Sequence, residues 1–238
     1  MTPQDYIIST LQALAQPTPM EDIGNTPVED AILAKVMSKK FRKLKADETA
    51  IGIARSAIKY AVEQSKPVKV RLLFGGNKLW RFEEEPEIDW AELFSLIYYL
   101  RWMKSITSVY KHGAHFDYYS QDVSVESLNN IPRSQTDQYS ATFKAMLEWV
   151  KPYIPENVQV TYRRHADEFK DLAEYDMEIE EAKKIVLANN NGKLPQLDEA
   201  QKAATELNVK LLPGQDDDPL WREKVELQHQ AIFETVSP

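Results

Sequence analysis

Four short stretches of this chain carry residue types that could do chemistry. The first is Gly75-Gly76-Asn77-Lys78, followed by Arg81. Paired glycines permit positive φ and a close backbone approach to a ligand. Backbone amides in such a turn can cradle a phosphate or carboxylate, and a lysine beside them adds charge. A desolvated lysine can instead attack a carbonyl as a Schiff-base nucleophile. The same residues also make an ordinary tight turn with two solvated cations. Neither a Walker loop nor a dinucleotide fingerprint is spelled here.

The second stretch is Asp117-Tyr118-Tyr119-Ser120-Gln121-Asp122. Strand alternation sends Phe116 and Tyr118 to one face and Asp117 and Tyr119 to the other. Ser120 and Asp122 then stand where a substrate enters. Asp122 can bind an amine, accept a proton or cap a helix. The third stretch holds Glu126, Asn129, Asn130 and Arg133 around Ile131-Pro132. Its amides could orient a polar ligand, although asparagines before a proline commonly just build a turn. The fourth is Arg163-Arg164-His165. Guanidinium forks suit phosphate and carboxylate, and a histidine serves as acid or base. A surface cluster neutralising Asp167 and Glu168 satisfies the same pattern. His112, His115 and His229 lack metal-ligand spacing, so no metal site is expected.

The elements that position these residues read in order. Residues 1–15 form an amphipathic helix bearing Ile7, Ile8, Leu11 and Leu14. Thr26-Pro27-Val28-Glu29 reads as a capping box with proline at the first helical position, opening a helix to about Leu44. That helix ends in the basic run Lys39 to Lys45, a solvated helix end or a patch for phosphate or RNA. Asp47 caps a helix over 48–64. Val68 to Phe74, between Pro67 and Gly75-Gly76, reads as a buried strand. Asp89 opens Trp90 to Tyr110, an apolar segment too wide for a surface stripe and expected to be covered on most sides. Gly113 precedes a strand at 114–119. Helix starts follow at Asp122 and Thr136-Asp137. A third strand spans 158–162, and helices cover about 166–188, 197–207 and 219–233. Leu207 to Leu212 reads as loop or a small edge strand.

Strand–helix alternation in the middle implies crossover units and a parallel sheet with helices on its faces. The expected fold is therefore α/β: a three-layer, Rossmann-like, mainly parallel sheet with N- and C-terminal helical additions. The expected organisation is an N-terminal helical segment over 1–64, an α/β core over 65–165 and a C-terminal helical extension over 166–238. In such sheets ligands sit beyond the carboxyl ends of the strands, where the first two stretches would meet.

Composition narrows the class. The chain has 238 residues, a net charge of −8 and no cysteine. The acidic balance argues against a general nucleic-acid binder, which carries a basic footprint. Missing cysteines exclude disulfides, thiolate metal sites and cysteine nucleophiles, and suit a reducing compartment. No apolar run approaches the roughly 20 residues that span a bilayer, and Met1 to Ala15 lacks a signal-peptide layout. A cytoplasmic protein, away from membranes, is the expectation.

Several of these residues together resemble the isonitrile (isocyanide) synthase family. They are the Lys66-Pro67-Val68-Lys69-Val70 strand, the lysine loop at Lys78, a helix ending in Val109-Tyr110, and the Gly113 strand running into Ser120-Gln121-Asp122. The resemblance covers about residues 50–150. It implies a Rossmann-like fold and a biosynthetic transferase. That enzyme would turn the amino group of an amino acid into an isonitrile, with ribulose 5-phosphate as carbon source and no other cofactor. Lys78, Ser120 and Asp122 would match the family's lysine loop and Ser-Asp pair. The chain departs from that pattern at Phe74-Gly75-Gly76, where the family has Phe-Pro, and at Gln121, which separates Ser120 from Asp122. With Lys78, Asp122 and Ser120 acting chemically, Gly75, Gly76, Asn77, Arg81, Tyr118, Tyr119, Glu126, Asn130, Arg163 and His165 would bind a small-molecule substrate carrying or lacking a phosphate. Two other classes fit the composition: a non-catalytic binding or assembly protein using its tryptophans, and a tRNA- or nucleotide-dependent transferase docking through Lys39–Lys45.

Overall fold

A computed structural model describes residues 2–41, 46–74 and 85–235, with the side chains of 3, 73 and 74 left aside. The fold is α/β. Strands β1 (Val68–Phe74), β2 (Ala114–Ser120) and β3 (Val158–Arg164) form a parallel open sheet in the order β1-β2-β3. Parallel strands in that order bring the ends of all three to one rim.

The central strand reads as the topology requires. In β2 only His115 is partly exposed, whereas β3 alternates from Val158 to Tyr162 and is partly exposed at Arg163 and Arg164. A parallel strand between two neighbours is covered on both faces, and edge strands are not. The expectation of a buried β1 is corrected accordingly. Val68 is buried, but Lys69 is exposed and Arg71 partly so, and such cations protect an edge from further pairing.

Helices are α1 (Pro3–Ala15), α2 (Val28–Val36), α3 (Glu48–Glu63), α4 (Trp90–Thr107), α5 (Asp122–Asn129), α6 (Arg133–Val150), α7 (Leu172–Asn189), α8 (Glu199–Asn208) and α9 (Trp221–Thr235). Caps explain several starts. Asp47 accepts from the Ala50 amide at 2.7 Å, and Asp89 and Glu92 make a reciprocal capping box. Two expectations fail. Pro27 is the N-cap of α2, without a side-chain capping bond, and α2 stops at Val36. Residues 38–41 turn instead, with Ser38 accepting the Phe41 amide at 3.0 Å. The Phe41 ring packs against Tyr98 at 5.7 Å after this turn; residues 42–45 of that run lie outside the described residues. Residues 209–212 form no strand. In addition, α4 is less covered than its composition suggests. Leu96, Leu100, Met103 and Ile106 are buried, but Trp90 and Phe94 are exposed.

The chain forms two compact units. One comprises Met1–Leu72, Ile88–Tyr118 and Phe143–Tyr162; the other comprises Leu73–Glu87, Tyr119–Thr142 and Arg163–Pro238. The first unit is built on an aromatic stack beneath the sheet. Tyr99 stacks on Phe116 at 4.6 Å, and Phe143 meets Tyr118 at 5.0 Å and Tyr162 at 4.9 Å. Lys104 closes the end of α1 by donating to the carbonyls of Ala13, Leu14 and Gln16, as a cation should at a helix C-terminus.

The second unit centres on Val123, Tyr175, Ile179, Ala182, Ala231 and Ile232, where α7 packs against α9. Among the described residues no helix is long and apolar enough to cross a membrane.

Candidate active site at the carboxyl rim

The second unit contains the ends of the three strands, from Leu73, Tyr119 and Arg163 onward. Asp122 is the first residue of α5 and is buried. One of its carboxylate oxygens accepts from Nε of Arg164, the last residue of β3. The other accepts from the Ala166 amide at 3.1 Å. The Arg164 Nη2 lies 2.7 Å from Oδ1 of Asp137, an ion pair by distance although not aligned as a hydrogen bond. Burial opposes the guanidinium charge, but the flanking Asp122 and Asp137 carboxylates outweigh it, so the pKa is raised and Arg164 stays charged.

Beside this triad stands His165, fully buried. Its ring is walled by Phe169 at 5.1 Å, Tyr119 at 5.7 Å and Tyr175 at 5.7 Å. Its Nδ1 lies 3.3 Å from the Ser124 hydroxyl, and Nε2 has no hydrogen-bond partner among the described residues. Burial pushes its pKa down, partly countered by the charges of Glu168 and Asp122. Burial thus favours the neutral imidazole, and of the two readings of this stretch the surface cluster fails for His165. Only Arg163 fits that description: it lies over the Tyr119 ring at 5.3 Å and 3.3 Å from Glu168. Tyr119 itself donates to Glu168 at 2.6 Å.

Small-ligand sites are cavities of roughly 300–1,000 Å³. One of about 560 Å³ opens in this unit among α5, α8 and α9. Its polar lining includes Gln121, Ser124, Asn129, Thr205, Glu226 and His229.

The structure thus gathers Tyr119, Asp122, Arg163 and His165 from the sequence-derived set. Ser120 is buried at the end of β2. Others belong elsewhere. Asp117 and Tyr118 lie in the first unit: Tyr118 in the aromatic stack, Asp117 in an ion-pair cluster on the opposite sheet face. Glu126 braces α5 against α6 through Arg133 and Thr136. Asn130 is a left-handed C-cap with φ 56° whose side chain donates to the Lys210 carbonyl and Gln215. These are the turn-building roles that the sequence also allowed. Gly75, Gly76, Asn77, Lys78 and Arg81 lie outside the described residues.

Sequence reasoning missed Ser124 and Tyr175, and it saw Asp137 only as a helix start. No spacing could reveal them: Ser124 meets His165 41 residues along the chain, Asp137 meets Arg164 from another element, and Tyr175 reaches the His165 ring only once α7 folds back on it. Among the described residues no group of three or more His, Asp or Glu side chains is placed to hold a metal ion. Searches against protein-family models, characterised proteins and solved structures return no match to this chain.

Proposed function

We propose that the protein is a small-molecule enzyme acting on an amino acid or a similar polar metabolite at the carboxyl rim of a three-layer, Rossmann-like core. The observation that carries this reading is the Arg164–Asp137 pair, locked from behind by Asp122. An amino acid presents a carboxylate and an ammonium. A guanidinium fork suits the first and a half-exposed aspartate the second, so the ligand exchanges one internal ion pair for two of its own. Asp122 is then the anchor that aims Arg164, a change from its expected role as amine receptor. The isonitrile-synthase resemblance adds a phosphorylated co-substrate, held by Gly75, Gly76, Asn77, Lys78 and Arg81, with Lys78 also able to attack its carbonyl.

Thermal-shift screening with amino acids and sugar phosphates tests the reading. A ligand at about a hundred times its Kd stabilises the folded state by about 2.7 kcal/mol. Amino acids should raise Tm, and the exposed change Asp137→Asn should remove that rise without lowering the ligand-free Tm. Lys78→Ala should abolish turnover with Tm nearly unchanged. A screen with no shift from any amino acid sinks the proposal.

A second reading, a non-catalytic assembly protein, draws on Trp90 and Trp149. They are 59% and 47% exposed and line shared apolar grooves on the first unit. Aromatic anchors of this kind are enriched at interfaces. Sedimentation showing a monomer at high concentration, unchanged by Trp149→Ala, removes self-association from that reading.

A further inference from the structure

The pocket among α5, α8 and α9 holds a feature that the amino-acid reading does not use. Ser124 lines it, and behind Ser124 stands the buried imidazole of His165. With the proton on Nε2, Nδ1 is the acceptor for the serine hydroxyl at 3.3 Å. Aromatic walls hold the ring in place, as a carboxylate does in more familiar nucleophile–base pairs. Ser124 is the third residue of α5, so its own amide and that of Val123 have no carbonyl partner within the helix. Such amides are suited to developing negative charge.

We propose that Ser124 and His165 form a nucleophile–base pair serving this pocket, and that the pocket takes a small polar ester or other activated acyl compound. In the first step the Ser124 hydroxyl proton passes to His165 Nδ1 and the Oγ–carbon bond forms, while the carbonyl π electrons move onto oxygen. The tetrahedral species collapses, the bond to the leaving group breaks, and that group departs with the proton from His165. Water repeats the sequence on the acyl-serine, releasing the acid and restoring Ser124. The amide and hydroxyl groups of Gln121, Asn129 and Thr205 favour an acyl chain with hydrogen-bonding groups over a purely aliphatic one. The lone carboxylate of Glu226 disfavours an anionic chain.

A fluorophosphonate probe applied to the intact folded chain tests the pair directly. Peptide mass analysis should place one adduct on Ser124, and the adduct should vanish in Ser124→Ala. Labelling should slow by about a hundredfold or more in His165→Gln, the usual contribution of a general base. Should either variant fail to fold, Ser124→Cys gives a separate readout, its thiol reacting faster with iodoacetamide than free cysteine at neutral pH. Three results overturn the proposal: a folded wild-type chain left unlabelled at Ser124, labelling that survives Ser124→Ala, or a thiol in Ser124→Cys no faster than free cysteine. The probe carries no amino-acid group, so failure here leaves the Arg164–Asp137 reading standing, and failure of the thermal-shift screen leaves this one.

Discussion

Thr161 donates its hydroxyl to Asp117 at 2.7 Å, joining β3 to β2. Asp117 has no exposed surface, and Lys69 stands 3.1 Å and Arg71 3.3 Å from the same carboxylate. A charged group in the middle of the central strand is tolerable only because both neighbouring strands serve it.

Asp117→Ala should therefore destabilise the fold. Truncating one partner of a buried pair costs about 3–5 kcal/mol, and here the lower end applies, since the partly exposed Lys69 and Arg71 recover solvent. Urea denaturation of variant and wild type reads the difference. A midpoint shift too small to distinguish from zero contradicts the account.

Gly113 is the position least able to change. Its φ is +81°, and a Cβ there would run into the Asn157 carbonyl. That carbonyl accepts the Ala114 amide at 3.0 Å, and the Gly113 carbonyl accepts the Val68 amide at 3.1 Å. One residue thus ties together the starts of all three strands. A left-handed non-glycine costs about 1–3 kcal/mol before any clash is counted. Gly113→Ala should lose at least that much stability, whereas Gly192→Ala, where a Cβ meets nothing, should lose only the conformational part.

His165 predicts how stability varies with pH. Burial first, against the charges of Glu168 and Asp122, leaves its folded pKa below the unfolded value near 6.5. The unfolded chain then takes up the proton more readily, so the His165 contribution is full above about pH 6.5 and falls as pH drops towards the folded pKa. His165→Phe keeps an aromatic ring among Tyr119, Phe169 and Tyr175 but cannot titrate. Its stability should change less between about pH 7.5 and pH 5 than that of the wild type. Equal slopes in denaturation series across that range rule this origin out.

Local physics made the linear framework readable. Asp47 and Asp89 mark helix starts because capping is settled within four residues, and Gly113 marks a strand start because its conformation is a property of one residue. Strand–helix alternation carried the parallel sheet for the same reason. The end of α2 was not legible, since whether a basic run stays helical depends on what packs against it. Phe41 gives its carbonyl to the Tyr98 hydroxyl at 2.6 Å, a partner 57 residues away.

The site divides along the same line. Residue types and rim positions singled out Asp122, Arg163 and His165 before any coordinates. Only the folded chain decided that Asp122 holds Arg164, that His165 is buried against Ser124, and that Glu126 and Asn130 are braces. Capping and alternation act over a few bonds and leave their mark in neighbouring letters. Charge pairing and burial act through space, and the chain places their partners wherever the sheet order and helix packing bring them.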